Sequence, residues 1–451
     1  MDKITFPKDF TWGAACASYQ VEGAVGEDSR GETIWDRYSH IRDGRIYNLE
    51  DGDTACDFYH RYPEDIGLMK ELNIHSLRYS IAWSRIFPEG KGSVNQKGID
   101  FYRKLTETLL ENGIKPCATL YHWDLPQALQ DLGGWCNRDM AGYYGEYAET
   151  MFRALGDLVP EWITINETYI HTRNGYYLGL HAPGLRDFSA SLLAGHNLMR
   201  AHGEGVKRYR AMNSGGKIGI SNNYGTAYPL TGSKEDQAAA ARQEGWRRRW
   251  FTDPLFGKGY PQDMAEWYKS QGVTLPKIHD GDMELISEPM DFLGVNYYHP
   301  DYMYYDPKFW PNQSSSKLTG LPYTECNWEI EPRGLYDLLT FLDRDYNHPV
   351  IKITENGSAW RDYINREGKI ADDNRIDYLY RHLLACRKAI DDGVKLNAYY
   401  AWSLTDNIEW SEATSLRFGL IYLDYATQKR IIKESGRWYG NLCRTNSFDM
   451  V

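Results

Sequence analysis

Trp162-Ile163-Thr164-Ile165-Asn166-Glu167 is an apolar, β-branched run that stops abruptly on two polar residues. Branched side chains are stiff at χ1 and fit a pleated surface, so the run reads as a strand, Trp162–Asn166, delivering a carboxylate at its carboxyl end. Seven further runs of the same kind are Phe10–Ala17, Ser76–Ile81, Lys115–Tyr121, Lys217–Asn222, Phe292–Asn296, Ile351–Thr354 and Leu396–Trp402. Each is followed by a turn signal and a longer stretch of helical periodicity. That alternation predicts βα units around a parallel sheet. Eight strands are what a closed barrel needs, so the expected fold class is α/β, a single (β/α)8 TIM barrel with elaborated loops on its C-terminal face.

Between the strands, Ile99–Asn112 places Leu105 and Leu109 at helical spacing, and Arg375–Asp391 does so with Leu379, Leu383 and Ile390. Gly113 and Gly393 stand where helix C-caps are expected. No composition break or Pro/Ser linker divides the 451 residues, so residues 1–451 are expected to form one domain. Pro300 to Asn327, with Asp-Pro, Trp-Pro and a Ser triplet, reads as a long irregular loop after strand six, crowning the end of the barrel where sites are built.

A net charge of −11 argues against nucleic acid, which requires a basic field. The one basic run, Arg247 to Arg249, reads as a solvated or salt-bridged face at a helix or its end. Seven scattered cysteines, without a C-x-x-C pair or His-rich spacing, suggest neither a disulfide framework nor a metal site. Neither an apolar leader nor a run long enough to span a bilayer is found, so the chain reads as cytoplasmic with no membrane partner. Aromatic residues make up 14% of the chain; most fill a core, but some surplus is expected at a cleft, where flat rings suit sugars.

The strand ends carry the chemistry. Arg78 lies on strand two, His122-Trp123-Asp124 follows strand three, and Asn166-Glu167 closes strand four. Asn296-Tyr297-Tyr298 ends strand six, Glu355-Asn356-Gly357 ends strand seven, and Trp402-Ser403 leads into Asp406, Asn407, Glu409 and Trp410 after strand eight. Each has a bland alternative: Asn-Glu can be only a helix cap, Asn-Gly only a turn, and a lone histidine a satisfied core residue. Their co-occurrence at the ends of separate strands is what independent turns would not produce. Carboxylates from strands four and seven can face each other across the barrel mouth, as glycosidic cleavage requires. Arg78 and the Tyr298 hydroxyl are placed to keep one of them, Glu355, ionised, and a nearby anion raises the pKa of the other.

The chain is similar to glycoside hydrolase family 1, the β-glucosidase family, nearly from end to end. The resemblance rests on Phe6-Pro7-Lys8-Asp9-Phe10-Thr11-Trp12-Gly13, Ala17-Ser18-Tyr19-Gln20-Val21-Glu22-Gly23, Arg78 to Ile86, His122-Trp123-Asp124-Leu125-Pro126 and Thr164-Ile165-Asn166-Glu167. It continues through Asn296-Tyr297-Tyr298, Ile353-Thr354-Glu355-Asn356-Gly357, Trp402 to Trp410 and Arg417-Phe418-Gly419-Leu420. It implies a retaining double displacement without cofactor or metal, Glu355 attacking the anomeric carbon and Glu167 serving as acid and then base. For that chemistry the carboxyl groups should stand ~5–5.5 Å apart. It further implies that Gln20, His122, Trp123, Asn166, Glu409 and Trp410 contact sugar hydroxyls, that Trp402 stacks beneath the ring, and that Trp328 is the leaving-group platform; Arg78, Asn296 and Tyr298 support the carboxylates. The expected partner is a small carbohydrate, with β-glucosides first and β-galactosides or β-fucosides next; the natural leaving group and homo-oligomer formation stay open. Thr168 and Tyr169 replace the family's commoner Pro and Trp, Asn327 its usual Gly, and Ser411-Glu412-Ala413-Thr414 its Ala-x-Gly-Tyr form; all bear on the leaving-group side.

Two rival readings are a phospho-β-glycosidase of the same family and a non-catalytic sugar-binding barrel. Glu409 would repel a 6-phosphate and Trp410 crowd it, and Arg417-Phe418 replaces the typical Lys-x-Tyr pattern. A pure binder has no need of two opposed carboxylates, and Glu rather than Gln at 167 disfavours a thioglucosidase.

Overall fold

The computed structural model describes residues 3–213 and 215–450; Met1, Asp2, Ser214 and Val451 of the expected 1–451 domain lie outside them. Eight strands close into a barrel: β1 (Thr11–Ala15), β2 (Ser76–Ser80), β3 (Lys115–Tyr121), β4 (Glu161–Asn166), β5 (Lys217–Tyr224), β6 (Phe292–Tyr297), β7 (Ile351–Asn356) and β8 (Leu396–Trp402). Neighbours in sequence are neighbours in space, every pairing is parallel, and β8 closes on β1 through Tyr400 opposite Gly13. The barrel is filled from inside: the Tyr400 ring packs so closely on β1 that a Cβ at Gly13 would come within 2.4 Å of it. The Tyr400 hydroxyl then finds Ser76 Oγ at 3.0 Å, so burying the phenol leaves no orphaned donor.

The helices between strands form where the apolar spacing places them. Gln96–Glu111 buries Ile99, Phe101, Tyr102, Leu105 and Leu109 along one face and ends before Gly113, whose φ of +74° suits a residue without Cβ. Asp373–Asp391 buries Tyr378, Leu379, Leu383 and Cys386, with Gly393 at φ +101° after it. Lys3–Thr5 pairs antiparallel with Ser447–Asp449, tying together the two ends of the described chain. No helix among the described residues is long and apolar enough to cross a membrane, and all seven cysteines are free thiols.

One expectation needs correcting and one can be narrowed. The segment 300–327 is not wholly irregular: Asp301–Tyr305 and Ser314–Ser316 pair antiparallel, and Asp301–Tyr305 also pairs with Ala227–Pro229, giving a three-stranded sheet above the barrel. The third strand lies outside the segment, in the loop after β5, so local composition hides that pairing. The basic run is salt-bridged, one of the two alternatives its sequence allows, and it lies deeper than a surface face. Arg247 and Arg248 are buried, paired with Asp301 and Glu244, and Arg249 pairs with Asp263. They lie in a π-turn, Gly245–Arg249, that continues the helix Lys234–Glu244 and turns Arg247 toward the barrel mouth.

Candidate active site

A cleft of ≈ 860 Å³ opens at the carboxyl ends of the strands. Its walls include His122, Trp123, Asn166, Glu167, Tyr298, Trp328, Glu355, Trp402, Glu409 and Trp410, all singled out from the sequence. Arg78 and Asn296 lie immediately behind the wall, bonded to the groups that form it. Gln20 departs from expectation: it is fully buried and absent from the cleft wall, with its Nε2 donating to Asn407 Oδ1 (3.1 Å) and the Ile408 carbonyl (2.9 Å). Its Oε1 has no protein partner. Asp124 turns away to accept from Ser18 Oγ at 2.7 Å, and burial pushes its carboxyl up to about 7.

The two carboxylates live in different surroundings. Glu355 is held at one oxygen by Arg78 Nη1 (2.6 Å) and at the other by the Tyr298 hydroxyl (2.6 Å). Bonds from a guanidinium and a phenol to a carboxylate favour its charged form. Burial raises the Glu355 pKa, and Arg78 and Tyr298 oppose that rise. Glu167 sits at φ +52° immediately after β4 and receives only neutral amides, from Asn296 Nδ2 at 2.7 Å and Asn223 Nδ2 at 3.3 Å. Burial, and then the charge of Glu355, push it up to about 8. The first proton lost by the pair therefore leaves Glu355, and near pH 7 Glu167 keeps its own.

A single guanidinium orders the floor. Besides Glu355, Arg78 donates to the Thr354 carbonyl (3.0 Å), to Thr119 Oγ1 (3.2 Å) and, through Nη2, to Asn166 Oδ1 (2.5 Å). Because Arg78 only donates, Asn166 must present its oxygen inward and its Nδ2 toward His122 Nε2, 2.9 Å away. His122 accepts that bond with a neutral ring, since burial and the Arg78 charge hold its pKa well below the usual histidine range. Asn166 and His122 thus offer directed donors and acceptors at fixed positions.

Glu409 is the third buried carboxyl, pushed up to about 8 by burial and then by Glu355 and Glu167; its Oε2 has no protein partner. Trp402 stacks on His122 with centroids 5.9 Å apart, and Trp410 packs on Trp123 at 4.6 Å. On the outer side Trp328 lies between His299 and Tyr298, each at 5.1 Å, and Phe418 at 6.1 Å. Tyr169 packs edge-on to Trp246 at 5.1 Å and lines the wall with Arg173, Asn174, Gln243 and Glu412. Asn327 stands at φ +56°, a left-handed conformation that Asn tolerates and Gly takes freely. Arg417 points away to Asp406 Oδ2 at 2.7 Å, where Lys433 also binds the carboxylate at 2.6 Å.

Reading the sequence missed Asn223 and Arg247. Asn223 is the next-to-last residue of β5, one residue beyond the expected end at Asn222, and a strand extended by that residue would have included it. Arg247 gives no such local signal.

The family model for glycosyl hydrolase family 1 matches residues 2–448. The chain is 50% identical to β-glucosidase A of Acetivibrio thermocellus over 99% of this chain and 100% of that protein. It is 43% identical to a family 1 β-glucosidase from Thermotoga maritima, covering 100% of both chains with a TM-score of 0.96. A structure of the Thermotoga maritima β-glucosidase in complex with deoxynojirimycin superposes with a TM-score of 0.95, at 43% identity over 99% of this chain and 100% of that one. A full-length match at this identity, on a barrel whose strand ends carry the family's motifs, places the chain in glycosyl hydrolase family 1.

Proposed function

We propose that the chain is a retaining β-glucosidase that releases terminal β-D-glucosyl residues from short oligosaccharides or glycosides, with β-galactosides and β-fucosides as further substrates. The observation that carries the reading is the asymmetry of two buried carboxyls on one cleft: Glu355 gripped by Arg78 and Tyr298 at 2.6 Å each, Glu167 by neutral amides alone. Glu355 attacks the anomeric carbon as an anion. As the glycosidic C–O bond breaks, its electron pair stays on the departing oxygen, which takes the Glu167 proton. Glu167, now a carboxylate, removes a proton from water, and the resulting hydroxide breaks the Glu355 ester with retention.

Asn166 Nδ2 and His122 meet the ring hydroxyls near the reacting carbon; the Asn166 bond strengthens as the oxocarbenium-like state forms. Glu409 Oε2, with Trp410 beside it and Gln20 Oε1 behind, receives hydroxyl donors on the far side of the ring; the Glu409 and Gln20 oxygens are both acceptors without a protein partner. Trp402 underlies the ring and Trp328 the leaving group. The binding of deoxynojirimycin, a polyhydroxylated sugar-like compound, by the Thermotoga maritima relative supports a carbohydrate partner. The seven free thiols fit a reducing cytoplasm, and the antiparallel pairing of the chain's two ends fits one catalytic unit across residues 1–451.

The test is nitrophenol release from 4-nitrophenyl β-D-glucoside and its 6-phosphate by wild type, Glu355→Gly and Glu167→Ala. Turnover of the plain glucoside is expected, abolished in Glu355→Gly and partly rescued by azide in Glu167→Ala with β-glucosyl azide as product. Cleavage of the phosphate alone, or of neither compound, overturns the reading.

A further inference from the structure

A neutral carboxyl carries its proton on one of two oxygens, and only a proton aimed into the cleft reaches a departing group. Both amides that touch Glu167 meet the same atom: Asn296 Nδ2 at 2.7 Å and Asn223 Nδ2 at 3.3 Å donate to Oε1. An oxygen already accepting two N–H groups has no room to carry a hydrogen of its own. Among the described residues, Oε2 takes no hydrogen bond, and Glu167 forms part of the cleft wall.

Each amide is turned this way by its own partners. Asn296 Oδ1 accepts from Ser221 Oγ (2.8 Å) and Thr354 Oγ1 (2.7 Å). Asn223 Oδ1 accepts from Arg247 Nε (3.1 Å) and Nη2 (2.7 Å). A guanidinium has no acceptor, so a flipped Asn223 would set donor against donor. Arg247 is fixed in turn by Asp301 Oδ2 at 2.6 Å, by the Tyr224 carbonyl at 3.2 Å, and by the π-turn that carries it. Gly225 clears the way: a Cβ there would lie 2.3 Å from Arg247 Nη1.

We propose that Asn223 and Arg247 are positioning residues for proton transfer: Arg247 locks the Asn223 amide, which with Asn296 saturates Oε1 of Glu167 and confines the acid proton to Oε2. The inference rests on Glu167 being the acid/base. In the first displacement the Oε2 proton passes to the glycosidic oxygen; in the second the same oxygen receives a proton from water. The chain of contacts also ties the acid to Asp301, the first residue of the middle strand of the sheet above the cleft, so the element that borders the leaving group also fixes the proton delivered to it.

Because proton transfer matters only for a poor leaving group, a positioning role and a general loss of structure separate in a leaving-group series. kcat/KM, which reports the first displacement, is measured for 2,4-dinitrophenyl, 4-nitrophenyl and phenyl β-D-glucosides and cellobiose with wild type, Asn223→Asp, Arg247→Lys and Glu167→Ala. Asn223→Asp is isosteric and keeps its acceptor toward Arg247, but turns an acceptor toward Oε1. It is expected to lose at least about 10-fold on phenyl glucoside and cellobiose, a fraction of what general acid catalysis supplies, and under about 2-fold on the dinitrophenyl substrate. Arg247→Lys follows the same pattern and serves alone should Asn223→Asp fail to fold. Equal losses across the series, or none, overturn the proposal. A steep leaving-group dependence in Glu167→Ala without one in the other two variants refutes only the positioning role; its absence in Glu167→Ala refutes the acid/base assignment itself.

Discussion

Replacing Glu355 by Gln removes a charge while keeping nearly the same shape, and the first consequence should appear on Glu167. The Glu355 charge is the second cause, after burial, that lifts Glu167 to about 8 from an ordinary 4.5. For carboxyl groups about 5.5 Å apart, the separation retaining chemistry asks for, Coulomb's law at an effective dielectric constant of about 20 gives about 3 kcal/mol. At 1.36 kcal/mol per unit that is about 2 pKa units, so Glu167 in Glu355→Gln should titrate near 6. Both groups are buried, so salt screens little of this. The assay is NMR of protein carrying 13C-labelled glutamate carboxyls, followed from pH 4 to 10, with Glu167→Gln identifying the resonance. Activity is not needed, so loss of the nucleophile does not blind the measurement. A Glu167 that titrates within about half a unit of its wild-type value would mean that the two carboxyls do not sense each other at catalytic distance. The proposed pairing of acid and nucleophile would then be wrong.

Arg78→Met should strip Glu355 of its one guanidinium, a loss worth about 3–5 kcal/mol when a buried pair is broken on one side, read by urea unfolding at pH 7. Glu355 then holds a proton to higher pH, so the acidic limb of kcat/KM should move upward. An unmoved limb would show that Arg78 does not keep the nucleophile charged. Glu409, raised to about 8 from 4.5, is protonated in the folded protein over a range where the unfolded chain has ionised. Its contribution to stability is fully present below about 4.5 and is lost as pH rises through about 8, so Glu409→Gln should lose about 2–4 kcal/mol less than wild type between pH 5 and 8.5. Parallel stability curves for the two proteins would refute a buried, neutral Glu409.

What was legible in the sequence was whatever is written locally. An apolar run that halts on a polar residue names both a strand and the side chain it delivers, so Asn166, Glu167, Asn296 and Glu355 are all found by one rule, whereas Arg78 lies inside its strand and is singled out only as a charge among barrel residues. The same rule fell one residue short at β5, where the expected end was Asn222 and the residue touching Glu167 is Asn223. Charge runs mislead because they show the charges and not the partners. Arg247 to Arg249 reads as a solvated or salt-bridged face, but nothing local names Asp301, Glu244 and Asp263 as its partners, and Asp301 lies in a segment that itself reads as loop. That segment pairs with itself and also with Ala227–Pro229, and the second pairing is one no local pattern records. Depth was equally hidden: motif position puts Gln20 toward the substrate, and packing sets the side chain behind the wall, its Nε2 joined to the strand-eight loop through Asn407 and Ile408 and its Oε1 left without a protein partner.

The same cleft explains how one guanidinium suffices for three buried carboxyls. Glu167, Glu355 and Glu409 share a buried floor with Arg78, and burial together with mutual repulsion holds Glu167 and Glu409 each up to about 8. At neutral pH the one full negative charge therefore rests on Glu355, the only one of the three that Arg78 touches. Sugar hydroxyls that donate to Glu409 favour its ionised form, because hydrogen bonds to a carboxylate stabilise the charge. An ionised Glu409 repels charge on Glu167 and so raises that pKa further. Recognition at the far side of the ring thus tightens the hold on the proton that the glycosidic oxygen needs, and binding energy collected away from the reacting bond is spent at it.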